Sequence, residues 1–401
     1  MNRADAQVAG ALSDSRAALP PKRFGYVSCR LPIVGRSAAD SAAACPHAFR
    51  STNRTHDTPM AASRNTFAPA RRSPLRTPLL AGLALGACAL AVAALTRQAE
   101  RSFPPKGRFV TVDGVKLHYR SLGSDAAAET IVLLHGNGTM AEELEISGLA
   151  DQLAAHHRVV LFDRPGYGYS ERPPSRRWMP HEQAALFTKA LGQLGIERPI
   201  VLGHSWGTLV ALSMGLHHAD HVSGLVLVSG YYFPSVRLDA TVLSAPAVPV
   251  LGTLLRHTVA PLLGRLMWPL ALRRMFAPAQ PTAAFEQRYP VWMSLRPSQL
   301  QASANESAQM APAATALRPL YRDVKVPTVL VAGAEDHLLS TRWHSSHLHE
   351  QIEDSWLRIV EDAGHMVHHV ATGQVVAAVE QVVNLQKARA PGLPTAPAVA
   401  H

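Results

Sequence analysis

Six short apolar runs fix most of what this chain can become. They are "TIVLLHG" (130–136), "RVVLFDRPGYGYS" (158–170), "RPIVLGHSWG" (198–207), "SGLVLVSG" (223–230), "VPTVLVAGAED" (326–336) and "SWLRIVEDAGH" (355–365). Each is rich in Val, Ile or Leu and runs into a turn containing Gly, so each reads as a strand. Most show no polar alternation, so both faces of the sheet must be covered. Between them, 141–157, 181–196, the residues after 207 and 372–388 carry helical apolar spacing. Strands alternating with helices predict an α/β fold, a mostly parallel, doubly wound sheet. In such sheets ligands bind beyond the strand C-terminal ends. Ahead of the first run, 108–123 alternates around Asp113-Gly114, the signal of a hairpin.

One run ends unusually. In "VLGHSWGTL" a lone serine, Ser205, stands between Gly203 and Gly207. A sharp strand-to-helix turn there would force Ser205 to positive φ and crowd the residues two places either side, so only glycine fits. The turn would lift the hydroxyl out at the sheet edge, as in the G-x-S-x-G nucleophile elbow. A serine hydroxyl needs a base within hydrogen-bond reach, and the base needs an orienting carboxylate. Two positions follow later strands at the same edge: Asp336 closes "LVAGAED" and His365 stands in "DAGHMVHH". Glu335 adjoins Asp336 and offers a second carboxylate.

Taken in order, "HGNG", "DRPGYGYS", "GHSWG", "AGAED" and "GHMVHH" resemble the α/β-hydrolase family over 108–388, about 70% of the chain. The resemblance implies Ser205 as nucleophile, Asp336 rather than Glu335 as orienter, and His365 as base and then acid. It implies an oxyanion hole from the main-chain N–H groups of Asn137 and Trp206. His135 and Gly136 are expected at the pocket loop, where His135 organises the backbone. Tyr231 and Tyr232 follow a strand at the active edge and are expected to line the pocket. Asp163 is expected as a turn residue, and His368 and His369 at the start of the next helix. His344, His347 and Glu350 share a helical face, but with no fourth ligand in view they read as a solvated helix. A metal or other cofactor is not expected. The family members that act on epoxides and haloalkanes carry aspartate at the elbow, so Ser205 points to ester-like bonds. The same triad can serve amide, carbon–carbon or peracid chemistry, and a silent fold could serve only to bind a ligand.

Strands vanish between Tyr231 and Val326, where 250–276 shows helical spacing broken by prolines. The expected layout is hydrolase core at 108–231 and 326–388, with an inserted helical cap at 232–325. The Met- and Leu-rich cap suggests a small hydrophobic substrate.

The net charge of +10 does not belong to this domain. Residues 1–106 hold 15 Lys/Arg against 5 Asp/Glu, whereas 107–401 hold 24 of each. The domain has no basic footprint for nucleic acid. Cys29, Cys45 and Cys88 all precede it, so it has no thiol chemistry. Residues 1–78 read as a disordered basic leader, 96–107 as a linker and 389–401 as a tail. Between leader and linker, "LLAGLALGACALAVAAL" (79–95) carries no charge over 17 residues. As a helix it would measure roughly 26 Å, at the short end for a bilayer. A membrane anchor is the favoured reading; a cleaved signal at "AVAA" and a lipoprotein signal at Cys88 are its rivals. Met60 opens a short basic stretch and is a candidate start, which would leave 1–59 untranslated. Basic residues tie across the segment, so the expected extracytoplasmic domain rests on the usual inside placement of a first N-terminus.

Overall fold

The computed structural model describes residues 25–27, 76–235 and 243–389. Most of the expected leader, including Met60, and the tail beyond 389 lie outside those residues. The strands are β1 (Gly25–Val27), β2 (Arg108–Val112), β3 (Val115–Leu122), β4 (Thr130–Leu134), β5 (Arg158–Phe162), β6 (Ile200–His204), β7 (Gly224–Val228), β8 (Thr328–Gly333) and β9 (Ser355–Val360). They form one sheet in the order β1-β9-β8-β7-β6-β4-β5-β3-β2. Pairing is antiparallel only where β3 meets β2 and β5. The β2–β3 hairpin turns at Asp113 (φ 49°) and Gly114 (φ 76°), the double positive φ that matches strand twist.

The unbroken apolar runs divide by alternate residues between two faces. Val132, Leu134, Val160, Phe162, Val201, Leu225, Leu227 and Leu330 pack beneath helices Pro180–Gln193 and Gly207–His217. Ile131, Leu133, Val159, Leu161, Ile200, Leu202, Val226 and Val329 pack beneath the short helices at 142–154 and Thr372–Arg389. Strand order reverses at β4, which lies between β5 and β6. The loops after β4 and β6 therefore flank a crevice at the strand C-terminal edge.

Three details differ from expectation. Residues 25–27, assigned to a disordered leader, pair parallel with Arg358–Val360. The helix expected over 141–157 is two short ones, Glu142–Ile146 and Leu149–Ala154, because Gly148 sits at φ 75° between them. The expected linker 96–107 is helical through Ser102, since one helix runs from Arg76 to Ser102. Among the described residues, Pro78–Ser102 is the one helix long and apolar enough to cross a membrane, by length and composition.

Between β7 and β8 the chain forms a cap of helices: Leu251–His257, Val259–Phe276, Ala283–Arg288, Val291–Ser294 and Pro297–Leu317. The last is keyed to the core by a buried ion pair. Glu306 takes Arg164 Nη1 at 2.6 Å and Nη2 at 3.0 Å, and both residues have no solvent exposure. Gln183 Nε2 and Tyr167 Oη also donate to Glu306, at 3.1 and 2.7 Å. Burial pushes the Glu306 carboxyl up, but Arg164 outweighs it and holds the group below the usual carboxylate range. Replacing Glu306 by Leu strands a buried guanidinium. We expect Glu306→Leu to cost about 3–5 kcal/mol in urea unfolding, and Arg164→Met with Glu306→Leu to recover much of that loss.

Candidate active site

The strand-to-helix turn after β6 has the geometry its glycines demand. Ser205 sits at φ 51°. A Cβ on Gly203 would lie 2.4 Å from Gly207 O, and one on Gly207 would lie 2.3 Å from Leu134 O. Neither position has room for any side chain. Ser205 N–H donates to Val228 O at 2.9 Å, which ties the strained residue to β7.

Ser205 faces a cavity of about 240 Å³ that His365 also lines. His365 follows β9, and its Nδ1 lies 2.8 Å from Asp336 Oδ2. The other oxygen, Oδ1, accepts from Leu338 N–H and Leu339 N–H at 2.8 and 2.9 Å. Burial raises the Asp336 carboxyl, but the His365 ring and these amides win and set it below its ordinary value. The carboxylate thus fixes one edge of the imidazole and leaves Nε2 for the cavity. Ser205 Oγ makes no hydrogen bond among the described residues. The rest of the wall is apolar at Leu243, Ala271, Met275, Met310, Leu338 and Met366 and polar at Thr139, His204 and Ser307, with Arg274 at the cap.

Two peptide units aim their amides by the same rule. In a trans peptide the C=O and the following N–H point in opposite directions. Gly136 O accepts from Arg164 Nη2 at 2.9 Å and His135 Nδ1 at 2.8 Å. Asn137 N–H is therefore directed away from Arg164. Ser205 O accepts from Thr208 N–H at 3.1 Å, so Trp206 N–H is directed away from the helix that follows. Neither amide donates to any acceptor among the described residues. The Asn137 side chain is also pinned, to Tyr167 Oη at 2.8 Å and Ser307 Oγ at 3.0 Å.

A family model for the alpha/beta hydrolase fold matches residues 129–372, more than half of the chain. The chain belongs to the α/β-hydrolase family. Among curated relatives, "Haloalkane dehalogenase 2" of Mycobacterium tuberculosis is 25% identical over 291 residues, covering 69% of this chain and 94% of that one. "Epoxide hydrolase A" of the same species is 31% identical over 140 residues, 34% of this chain and 42% of that one. Among solved structures, a bacterial membrane phospholipase A superposes with TM-score 0.54 at 21% identity, covering 78% of this chain and 96% of that one. The enol-lactonase of Burkholderia xenovorans superposes with TM-score 0.53 at 23% identity, over 69% and 100%. The family model and the curated relatives support a hydrolase, and the two solved structures share its fold.

Other expected pocket residues lie elsewhere in this α/β-hydrolase. Gly136 lines the cavity, but His135 is wholly buried behind it. Tyr231 and Tyr232 do not line it. Tyr231 packs on His344 at 4.7 Å between ring centres, and Tyr232 lies in the core beneath the helices at 180–217. His344 does not sit on the solvated face expected of it, because it is buried and its Nδ1 accepts from Tyr232 N–H at 3.1 Å. Asp163 is no simple turn residue either. Its buried carboxylate accepts from Ala141 N–H and Tyr169 N–H, both at 3.0 Å, and meets His118 Nδ1 at 2.7 Å.

The sequence reading missed Glu143. Its carboxylate is fully buried behind the cavity, with His368 Nε2 at 2.7 Å and His369 Nε2 at 3.1 Å from Oε2. These are N–H···O hydrogen-bond lengths. The three ligand atoms lie within 4.8 Å of one another, but Glu143 Oε1 meets only His204 Nδ1, at 3.7 Å. Burial raises the Glu143 carboxyl, yet the imidazoles outweigh it and leave the group well below the usual carboxylate range. The His204 ring lies tilted between this cluster and His365, 4.2 Å from the His368 ring and 5.1 Å from the His365 ring between centres. The doubled histidine of "GHMVHH" was the available signal; its acidic partner lies 225 residues away in sequence.

Two outcomes follow from this geometry. Gly207→Ala should lower the urea midpoint by about 3 kcal/mol or more in stability, because backbone must move to admit the methyl. His135 tests the loop by pH. Burial, then the Arg164 charge, lowers its imidazole to about 4. Its Nδ1 donates to Gly136 O and its Nε2 accepts Arg164 N–H at 3.0 Å, an arrangement only the neutral ring can make. The unfolded ring takes a proton near pH 6.5 and the folded one does not. Stability is therefore full above about pH 6.5 and falls toward pH 4, by about 3 kcal/mol in all from this group. In urea melts from pH 7 to pH 4, His135→Asn should flatten the acid fall relative to the unsubstituted protein.

Proposed function

We propose that this protein is a serine hydrolase that cleaves ester-like bonds of a small hydrophobic substrate. The observation that carries the reading is Ser205 held at φ 51° over a cavity it shares with His365, whose far edge is fixed by Asp336. Ser205 Oγ attacks the ester carbonyl carbon and its proton passes to His365 Nε2. The oxyanion accepts from Asn137 N–H and Trp206 N–H, neither of which donates to another group among the described residues. The carbonyl re-forms, the alcohol leaves with the proton from His365, and an acyl-enzyme remains. Water then attacks the acyl carbon, His365 takes its proton, and Ser205 leaves with it. Asp336 stabilises the imidazolium at each stage. The scheme uses no cofactor.

The apolar wall of Met275, Met310, Leu338 and Met366 supports an acyl group as the part of the substrate that is buried. Helix Pro78–Ser102, among the described residues the one long and apolar enough to span a bilayer, supports membrane anchoring, with the domain outside the cytoplasm.

Ser205→Ala should lower p-nitrophenyl ester turnover by about 10⁴-fold or more while the unfolding midpoint is kept. A fluorophosphonate probe should label the unsubstituted protein and not the variant. Equal turnover by the alanine variant would reject the reading.

A further inference from the structure

The cap carries an apolar face with none of the described residues packed over it. Leu251, Leu254, Val259, Leu263, Leu266, Met267 and Leu270 are all exposed, Leu266 at 75%. From Ala240 to Phe285 the chain has no Asp or Glu, yet it has Arg256, Arg265, Arg273 and Arg274. A face of leucines among unopposed arginines suits a bilayer with anionic headgroups.

The N-terminal helix says where that bilayer would be. Leu85, Cys88, Ala89, Val92, Leu95 and Ala99 are shielded at helical spacing, while Leu79, Leu80, Leu83 and Leu90 are exposed. The helix packs against Leu251–His257, Val259–Phe276 and Val291–Ser294. At its C-terminal end Ala99 joins Met293, and Glu100 meets Arg296 Nη1 at 3.1 Å. The stripe above, from Leu85 to Leu95, therefore faces helices Leu251–His257 and Val259–Phe276. That stretch rises about 15 Å, half of a hydrocarbon core of about 30 Å. A helix crossing the bilayer would carry its cap partners into one leaflet.

The cavity mouth belongs to the same face. Leu243, 57% exposed, and the exposed Ala271 and Arg274 line the cavity that Ser205 faces. Ala271 follows the exposed Leu270 directly. We propose that the cap is seated in the lipid beside the anchor helix, so that Ser205 draws an acyl ester dissolved in the bilayer directly from the membrane. The substrate half of this proposal rests on the esterase reading above; the seating half does not.

The test uses the full chain reconstituted in phosphatidylcholine–phosphatidylglycerol vesicles. Leu266 lines no part of the cavity. Leu266→Glu should keep turnover of water-soluble p-nitrophenyl acetate within twofold, and lose tenfold or more on a long-chain monoacylglycerol embedded in the vesicles. Equal retention on both esters overturns the proposal. An unsubstituted protein inactive on both esters overturns the esterase reading and with it the lipid substrate. Seating is read separately from Leu266→Cys carrying an NBD fluorophore, in a chain whose three native cysteines are serine. Quenching by doxyl-labelled lipid is expected. Quenching by aqueous iodide overturns the seating. Protection from both, with cross-linked dimers, overturns it too and assigns the face to a second copy.

Discussion

The Arg164 guanidinium is the interaction on which the site's geometry depends. It reaches the carbonyls of His135 and Gly136 with Nε and Nη2, and grips Glu306 with both terminal nitrogens. One buried cation thus holds the loop after β4 to the last cap helix. Because carbonyl and amide oppose each other within a peptide, drawing Gly136 O inward also turns Asn137 N–H outward. A lysine could supply the charge but not the planar fork that makes these contacts at once. The desolvation such a pair suffers is large, and full pairing is what makes it tolerable.

Three carboxylates around Ser205 lie beneath the cavity rather than in it. Glu306, Glu143 and Asp336 are each buried, and each is met by cationic or imidazole partners from distant segments. Water in place of those partners would let the loops shift. With protein in place, each loop at the sheet edge is fixed by charge-assisted hydrogen bonds. The surface left facing the cavity combines an apolar wall with Thr139, His204, Arg274 and Ser307 and the groups that the proposed chemistry uses. Rigidity under the site and hydrophobicity within it arise from the same arrangement.

This division explains what could be read from the chain. The strands were legible because a doubly covered parallel sheet demands unbroken apolar runs. The elbow was legible because a Cβ at either flanking position would lie within about 2.4 Å of backbone, which leaves glycine as the sole solution. Those are local constraints, written in adjacent residues. Arg164 and Glu306 are 142 residues apart, and nothing near either announces the other. Glu143 lies in "AEELE", which reads as an ordinary exposed helix, although the fold buries it. Tyr231 and Tyr232 failed differently. Their place after β7 was legible, but which way each ring turns depends on His344 and the core helices, and no local pattern records that. Gly148 was visible, yet a glycine within helical spacing does not declare whether it will take positive φ.

The two halves of the cap are held by unlike forces, and the contrast bears on how the site could open. Helix Pro297–Leu317 is keyed to the core through Glu306, and Ala313 and Leu317 enter the main core. Helix Val259–Phe276 is held by apolar contacts: Leu272 and Phe276 meet Phe285, Tyr289, Met366 and Ile146, Trp268 stacks on Tyr289, and the N-terminal helix packs alongside. The rest of that helix turns leucines outward, so in water it offers little burial in return for staying ordered. Moving Glu306 would break a buried ion pair, whereas moving the leucine-bearing segment would break few polar contacts. Any widening of the cavity is therefore expected on the Leu243, Ala271 and Arg274 side, while the Asn137 and Ser205 side keeps its geometry.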